Sequence, residues 1–420
     1  MKITTVLAGV AAAEPLTIKL ESRAKSASVN STTGGMLQIS NGMARSLNLL
    51  FDTGSTDLVI PKKGCSTCGD HATFDPSKSF AFSKNPGYNF LASYDTAGDA
   101  QPYADPLAMQ GKIVTDTITI GGVSSENQTF FLGDEFPEEL GEDPMGPNID
   151  GIFGLGPPEM SVFNALNKTF TTTFWNLVKS EKFEPVFSLF LNSGKDSRSG
   201  EVTLGGIDSS KYEGQLTRVP FNQSASILGG SWYINSPAYY IDGKSVKSST
   251  NQTSKEAVSQ LDSGTAYIMA PDRQTAKDMY AAISPEIKLL DKLGVWGAPC
   301  DVIETLQPEL TFTIGDGDKL VNLTMPKDAF DLGEHPSHPG QCQTVILHAP
   351  KPITDLAAVW ILGSPVLKGY YTVWDGKNLE FGVGKLRLET STDESTSRPA
   401  SGAADLAPYW GLIAVAFALI

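Results

Sequence analysis

Cysteine and histidine are scarce here, with four of each in 420 residues. No HExxH or GxSxG occurs, so the common zinc-peptidase and serine-hydrolase frameworks are excluded. Basic residues are also short: 32 Lys and Arg stand against 47 Asp and Glu, a formal net charge of −15. Such a surface repels phosphate backbones, which excludes nucleic acid as a partner. Low-complexity repeats are missing from the body, which argues against a wall-building or adhesive polymer. The sequence predicts no metal and no cofactor, and His335-Pro-Ser-His338 reads as an exposed loop. Glycine (40) and proline (26) are plentiful, which favours many turns and a strand-rich chain. The length exceeds the roughly 250–300 residues at which one core stops growing, so two lobes are expected.

Patterning supports that class. Asp116-Thr-Ile-Thr-Ile120 and Leu310-Thr-Phe-Thr-Ile314 alternate as strands do, and Tyr370–Trp374 with Leu379–Phe381 reads as a hairpin around Asp375-Gly376. Helix is expected over 276–283 and 174–182.

The chain also repeats itself once. Leu50-Phe51-Asp52-Thr53-Gly54-Ser55-Thr56 and Gln260-Leu261-Asp262-Ser263-Gly264-Thr265-Ala266 share one pattern: apolar, Asp, hydroxyl, Gly, hydroxyl. Downstream lie Ile152-Phe153-Gly154 and Ile361-Leu362-Gly363, 102 and 101 positions after the two aspartates. A single Asp-Ser/Thr-Gly-Ser/Thr is an ordinary turn. Two copies arise by chance in roughly one in a few thousand chains of average composition, so a duplicated lobe explains the pair.

The residue types suit peptide hydrolysis. Two carboxyls held a hydrogen bond apart cannot both ionise cheaply, so one stays protonated as acid while the other serves as base. Gly54 and Gly264 permit a tight turn whose N–H groups point at the carboxylates. Ser55 and Thr265, three residues after each aspartate, can bond the outer carboxylate oxygens, while Thr53 and Ser263 complete the two motifs.

These motifs carry a resemblance to the pepsin-like aspartic proteases, running from about Gly35 to Lys385. Asp150-Gly-Ile-Phe-Gly-Leu-Gly156 and Trp360-Ile-Leu-Gly-Ser-Pro365 resemble the segments threading beneath each catalytic loop. Pro185–Leu191 with Gly200–Asp208 is similar to the inter-lobe region. The resemblance implies a mostly β, bilobal acid protease fold, two pseudo-twofold-related β lobes with the cleft between them. It implies an aspartic endopeptidase, with Asp52 and Asp262 catalytic, acting on protein or peptide substrates at acid pH as a monomer. A pepsin-like peptide-binding protein without catalytic activity is the alternative. By the same resemblance a flap hairpin covers the cleft, with Tyr94, Asp95 and Thr96 on its first half and Met109-Gln-Gly111 on its return. Some ten extra residues lengthen that flap, and Tyr103 among them rivals Tyr94. A tryptophan that many members place near Val59 is absent.

Cys65-Ser-Thr-Cys68 reads as a short local disulfide, with half a zinc site or a redox pair as alternatives; only His71 lies nearby. The resemblance pairs Cys300 with Cys342 and puts a small disulfide loop at Cys65–Cys68.

Both ends look like processing signals. Lys2, the apolar run Ile3–Ala13 and Ala11-Ala12-Ala13 read as a secretory signal peptide over 1–13, with a first buried strand as the alternative. Residues 14–33 form a short propeptide or extension, bearing Lys19, Arg23 and Lys25, where the family usually has a longer basic prosegment and is made as a zymogen. The N-terminal lobe is placed at 34–190 and the C-terminal lobe at 191–386. A Ser/Thr-rich stalk follows at 387–405, then fifteen uncharged residues at 406–420. Fifteen falls short of the about 20 that span a bilayer. Small residues, polar spacer and apolar tail match a GPI-anchor signal at Ser395, Ser397 or Ser401, with a retained tail anchor or a packed terminal helix as alternatives. Six sequons, at Asn30, Asn127, Asn167, Asn222, Asn251 and Asn322, fit a glycoprotein of the secretory pathway. Body, stalk and tail together resemble the fungal GPI-anchored yapsins at the plasma membrane or cell wall, whose preference for basic residues Asp95, Asp99 and Asp105 would suit.

Overall fold

The computed structural model describes residues 14–22, 32–33, 36–39, 46–93, 108–136, 149–191, 199–224, 231–246, 257–291, 294–335, 337–348 and 358–387. The fold is mostly β and bilobal. In the N-terminal lobe seven strands lie in the order Met36–Ile39, Ser46–Asp52, Gly151–Gly154, Leu58–Pro61, Val123–Glu135, Ala108–Ile120, Asn89–Ser93. Met36–Ile39 also pairs with Ala108–Ile120, so the sheet curls back on itself. In the other lobe five strands run Tyr233–Asn235, Ala257–Asp262, Ala358–Gly363, Ile268–Ala270, Ile346–His348.

The duplication read from the motifs reappears as sheet register. Ser46–Asp52 runs parallel to Gly151–Gly154 with Asp52 opposite Gly154; Ala257–Asp262 runs parallel to Ala358–Gly363 with Asp262 opposite Gly363. Leu58–Pro61 and Ile268–Ala270 then pair antiparallel with those same inner strands. A strand flanked on both edges and covered on both faces needs apolar side chains throughout. Gly151–Gly154 and Ala358–Gly363 are accordingly buried at every position.

A third, seven-stranded sheet joins the lobes: Tyr212–Pro220, Glu380–Leu386, Tyr370–Asp375, Val186–Leu191, Ser199–Leu204, Leu16–Ser22, Thr32–Thr33. Both segments expected between the lobes fall in or beside it. So does part of 14–33: Leu16–Ser22 pairs antiparallel with Ser199–Leu204, Leu16 opposite Leu204. Leu16–Ser22 is thus a strand of the sheet that joins the lobes.

Both cystine bridges are present, Cys65–Cys68 and Cys300–Cys342. The first settles the CxxC as a disulfide. The second closes a loop of sequence separation 42, which contributes about 4 kcal/mol in the chain-entropy account.

Three local expectations change. The helix expected over 174–182 runs Thr173–Lys179, because Glu181 adopts a left-handed φ of 56° and ends it. Helix Arg273–Ile283 begins three residues before 276, where Asp272 accepts a bond from Thr275 N at 2.8 Å. The hairpin after Tyr370 closes over residues 376–379, with Asp375 opposite Glu380, rather than at Asp375-Gly376. The Asp375 carboxylate accepts from Lys377 N (3.1 Å) and Asn378 N (2.8 Å), and Leu379 takes the left-handed φ of 55°. Gly376 is needed for space instead: a Cβ there would lie 2.5 Å from the Trp175 ring.

Candidate active site

Each motif ends its strand on a turn that the lobe beneath it holds from below. Leu155 N donates to Asp52 O (2.7 Å) and Gly156 N to Ser55 O (2.7 Å); in the other lobe Ser364 N donates to Thr265 O (2.7 Å). The turns pass so close over the inner strands that only glycine fits below. A Cβ on Gly154 would sit 2.2 Å from the Thr56 carbonyl carbon, and one on Gly363 2.2 Å from Tyr267 O.

The two turns also grip each other. Thr53 N donates to Ser263 Oγ (3.1 Å) and Ser263 N to Thr53 Oγ1 (2.9 Å). Thr53 Oγ1 donates to Leu261 O (2.9 Å) and Ser263 Oγ to Phe51 O (2.8 Å). Every bond in this set crosses between lobes and recurs under the pseudo-twofold. The second position of each motif therefore requires a hydroxyl, which donates and accepts at once.

The grip brings Asp52 and Asp262 together. Both are wholly buried, and their carboxyls hydrogen-bond each other. Gly54 N donates to Asp52 Oδ1 and Gly264 N to Asp262 Oδ1, each at 2.8 Å. The outer oxygens accept from Ser55 Oγ on Asp52 and from Thr265 Oγ1 on Asp262, the latter at 2.5 Å. Burial, which disfavours the charged form, raises both carboxyls above their ordinary range, Asp52 strongly so because the Asp262 charge adds to it. The pair keeps one proton to a higher pH than isolated carboxyls would.

The flanks are pinned as well. Asp57, five residues past Asp52, accepts from Ser161 Oγ at 2.5 Å. Trp175 Nε1 donates to Gly156 O (2.7 Å) and Trp232 Nε1 to Leu155 O (3.1 Å), so two tryptophans hold the threading segment. None of these partners carries a signal in sequence, since each is a lone residue far along the chain.

Tyr94, Asp95, Thr96 and Tyr103 lie outside the described residues, as do Asp99 and Asp105. The strands flanking them are described: Asn89–Ser93 pairs antiparallel with Ala108–Ile120, Ala92 opposite Met109, so Met109–Gly111 does lead back along the first arm. Val59 is buried. Asn127, Asn167 and Asn322 are exposed, while Asn222 is half-buried and donates to Asn235 Oδ1 at 2.5 Å. Asn30, Asn251, Ser395, Ser397, Ser401 and the segments 1–13 and 388–420 lie outside the described residues. No helix among the described residues is long and apolar enough to cross a membrane.

His335 departs from the exposed loop expected of His335–His338. Its ring is buried, its centroid 4.7 Å from that of His338 and tilted 54° to it, with Nε2 3.6 Å from Asp291 Oδ2. Ser337 N donates to His335 Nδ1 at 3.2 Å, and Nε2 faces Asp291. One ligand atom each from Asp291, His335 and His338 lies within 4.8 Å of the others, a grouping that could hold a metal ion.

Two buried carboxyls sharing a proton can activate water with one and protonate a leaving group with the other, and no side-chain nucleophile is required. The similarities found agree. Residues 36–386 match the family described as eukaryotic aspartyl protease. Pepsin A of Sus scrofa is 30% identical, the alignment covering 81% of this chain and 78% of that protein. Gastricsin of Homo sapiens is 29% identical over 80% of this chain and 76% of its own length. Cathepsin E of Aquarana catesbeiana is 28% identical over 85% and 80%. On that match, and with an architecture of this kind, the chain belongs to the eukaryotic aspartyl protease family and is an aspartic endopeptidase of the pepsin type.

Proposed function

We propose that Asp52 and Asp262 are the catalytic pair and that they hydrolyse peptide bonds without a covalent intermediate. A substrate strand lies in the cleft beneath the flap, with Tyr94 over the scissile bond. Water between the carboxyls loses a proton to the ionised one as its oxygen attacks the carbonyl carbon. The other carboxyl gives its proton to the carbonyl oxygen, forming a tetrahedral diol. Collapse of the diol breaks the C–N bond, the amine nitrogen taking a proton from the pair. Gly54, Ser55, Gly264 and Thr265 hold the four carboxyl oxygens, and Thr53 and Ser263 hold the two turns. The observation that carries this reading is the mutual hydrogen bond between two wholly buried aspartates.

Burial raises the pair, so the singly protonated form spans the acid range and activity falls as its last proton leaves. Protein and peptide substrates are assigned, with Lys or Arg near the cleaved bond favoured by the acids of the flap. The protein works as a monomer on the secretory route, glycosylated at exposed sequons and held at the cell surface by a GPI anchor in the manner of the yapsins. The signal-like start, the polar stalk and the apolar tail support that placement. Cleavage of a denatured protein near pH 4, abolished in both Asp52→Asn and Asp262→Asn, is the expected result. Full activity in either variant overturns the assignment.

A further inference from the structure

Strand Ala257–Asp262 reads Ala-Val-Ser-Gln-Leu-Asp, and its glutamine is wholly buried two residues before the aspartate. Gln260 lies between Tyr233 on one neighbouring strand and Ile361 on the other. Its Nε2 donates to Gly54 O at 3.1 Å, across the lobe boundary. Its Oε1 is buried and has no hydrogen-bond partner among the described residues. A leucine would fill the position without stranding an acceptor. The other lobe shows as much: Leu50, two residues before Asp52 and opposite Ile152, is the pseudo-twofold counterpart. The four grip bonds obey the pseudo-symmetry. This fifth one breaks it.

Gly54 is where such a bond has leverage. Its N–H donates to Asp52 Oδ1, while its Cα presses on the opposite carboxyl, so closely that a Cβ would stand 2.3 Å from Asp262 Cγ. An amide that fixes the Gly54 carbonyl therefore sets the position of a residue touching both aspartates. It does so from one lobe only, and leaves the two carboxyls inequivalent.

We propose that Gln260 is a positioning residue for the pair: its carboxamide holds the first turn in register with the second and keeps the Gly54 N–H on Asp52. This rests on the catalytic reading of Asp52 and Asp262. Losing the amide lets Gly54 drift, weakens a bond that favours ionised Asp52, and moves the alkaline limb of the activity profile, where Asp52 gives up the shared proton, upward.

Gln260→Met matches the size and removes the donor. Its kcat is expected to fall about tenfold, with KM within about twofold of wild type. The alkaline limb of kcat/KM should shift up by about half a pH unit. The thermal midpoint should stay or rise, since a stranded acceptor is gone. Should that variant not fold, Gln260→Asn keeps an amide too short to reach Gly54 O and serves the same comparison. Loss of folding in both, or unchanged kcat and pH profile in a folded variant, overturns the proposal. Asp52→Asn is assayed alongside: activity surviving there sinks the catalytic reading itself, whereas activity lost there but kept in Gln260→Met sinks only the role given to Gln260.

Discussion

Substituting Gly54 by alanine adds one methyl group at the most crowded point of the site. Built on the present backbone, that methyl lies 2.3 Å from Asp262 Cγ and 2.4 Å and 2.6 Å from its two oxygens, where ordinary contact begins at 3.4 Å. Something has to move by about 1 Å. The Asp262 carboxyl cannot yield freely, because Gly264 N (2.8 Å) and Thr265 Oγ1 (2.5 Å) anchor it. The Gly54 turn cannot either, because Thr53 and Ser263 lock it to the opposite lobe. The displacement therefore falls on the distance between the carboxyls, and about 1 Å of misplacement at reacting groups costs on the order of 10²-fold in rate. Gly54→Ala should show kcat down about 100-fold or more on a quenched peptide at acid pH, with folding retained by circular dichroism. Gly369→Ala is the control, since its nearest neighbour would be Thr324 O at 3.4 Å. Wild-type-like activity in folded Gly54→Ala would refute the close approach of the two turns.

Two further predictions concern acid stability. Asp150 is partly desolvated, which pushes its carboxyl up, but His71, Asn48 N and Ala72 N together outweigh that and hold it below its ordinary value of 3.8. Its contribution is complete above that value and is lost as pH falls through the depressed one; Asp150→Asn should lower stability near pH 7 by about 2 kcal/mol and flatten the acid slope in urea titrations. His348 runs the other way. Burial first, then Arg273, lowers it from 6.5 to about 4, and its Nδ1 accepts from Trp296 Nε1 at 3.1 Å. The unfolded chain takes up that proton on acidification while the folded one does not, so stability drains between about pH 6.5 and 4. His348→Gln should recover about 2–3 kcal/mol at pH 4 relative to pH 7, measured by thermal melts at both pH values; an unchanged pH dependence would show that His348 does not titrate in this way.

Much of the site was legible because its chemistry is local. Asp, hydroxyl, Gly and hydroxyl must follow one another for one turn to present a carboxyl and bond both its oxygens. The near-equal spacing to Gly154 and Gly363 was legible because each glycine passes under its own turn. What stayed hidden acts from a distance. Gln260 reads as one polar residue in a strand until its carboxamide is seen on Gly54, 206 positions away. The turn after Tyr370 was misjudged because Asp375 spends its carboxylate on two amides further on, which no dipeptide rule includes. His335 looked exposed because Asp291, which meets it, lies 44 positions upstream.

The sheet that joins the lobes alternates ownership at its middle. Val186–Leu191 is bonded on one edge to Ser199–Leu204 and on the other to Tyr370–Asp375. Neither half of the duplicated chain can thus be excised as a free-standing module: each would leave with a raw edge of unpaired amides and carbonyls, the template on which strands aggregate. The same weave works in favour of a nicked molecule. A chain cut between Leu191 and Ser199 keeps its pieces stitched by the backbone ladder on both sides, and two separately made fragments split there should reassemble by mutual templating rather than fold alone.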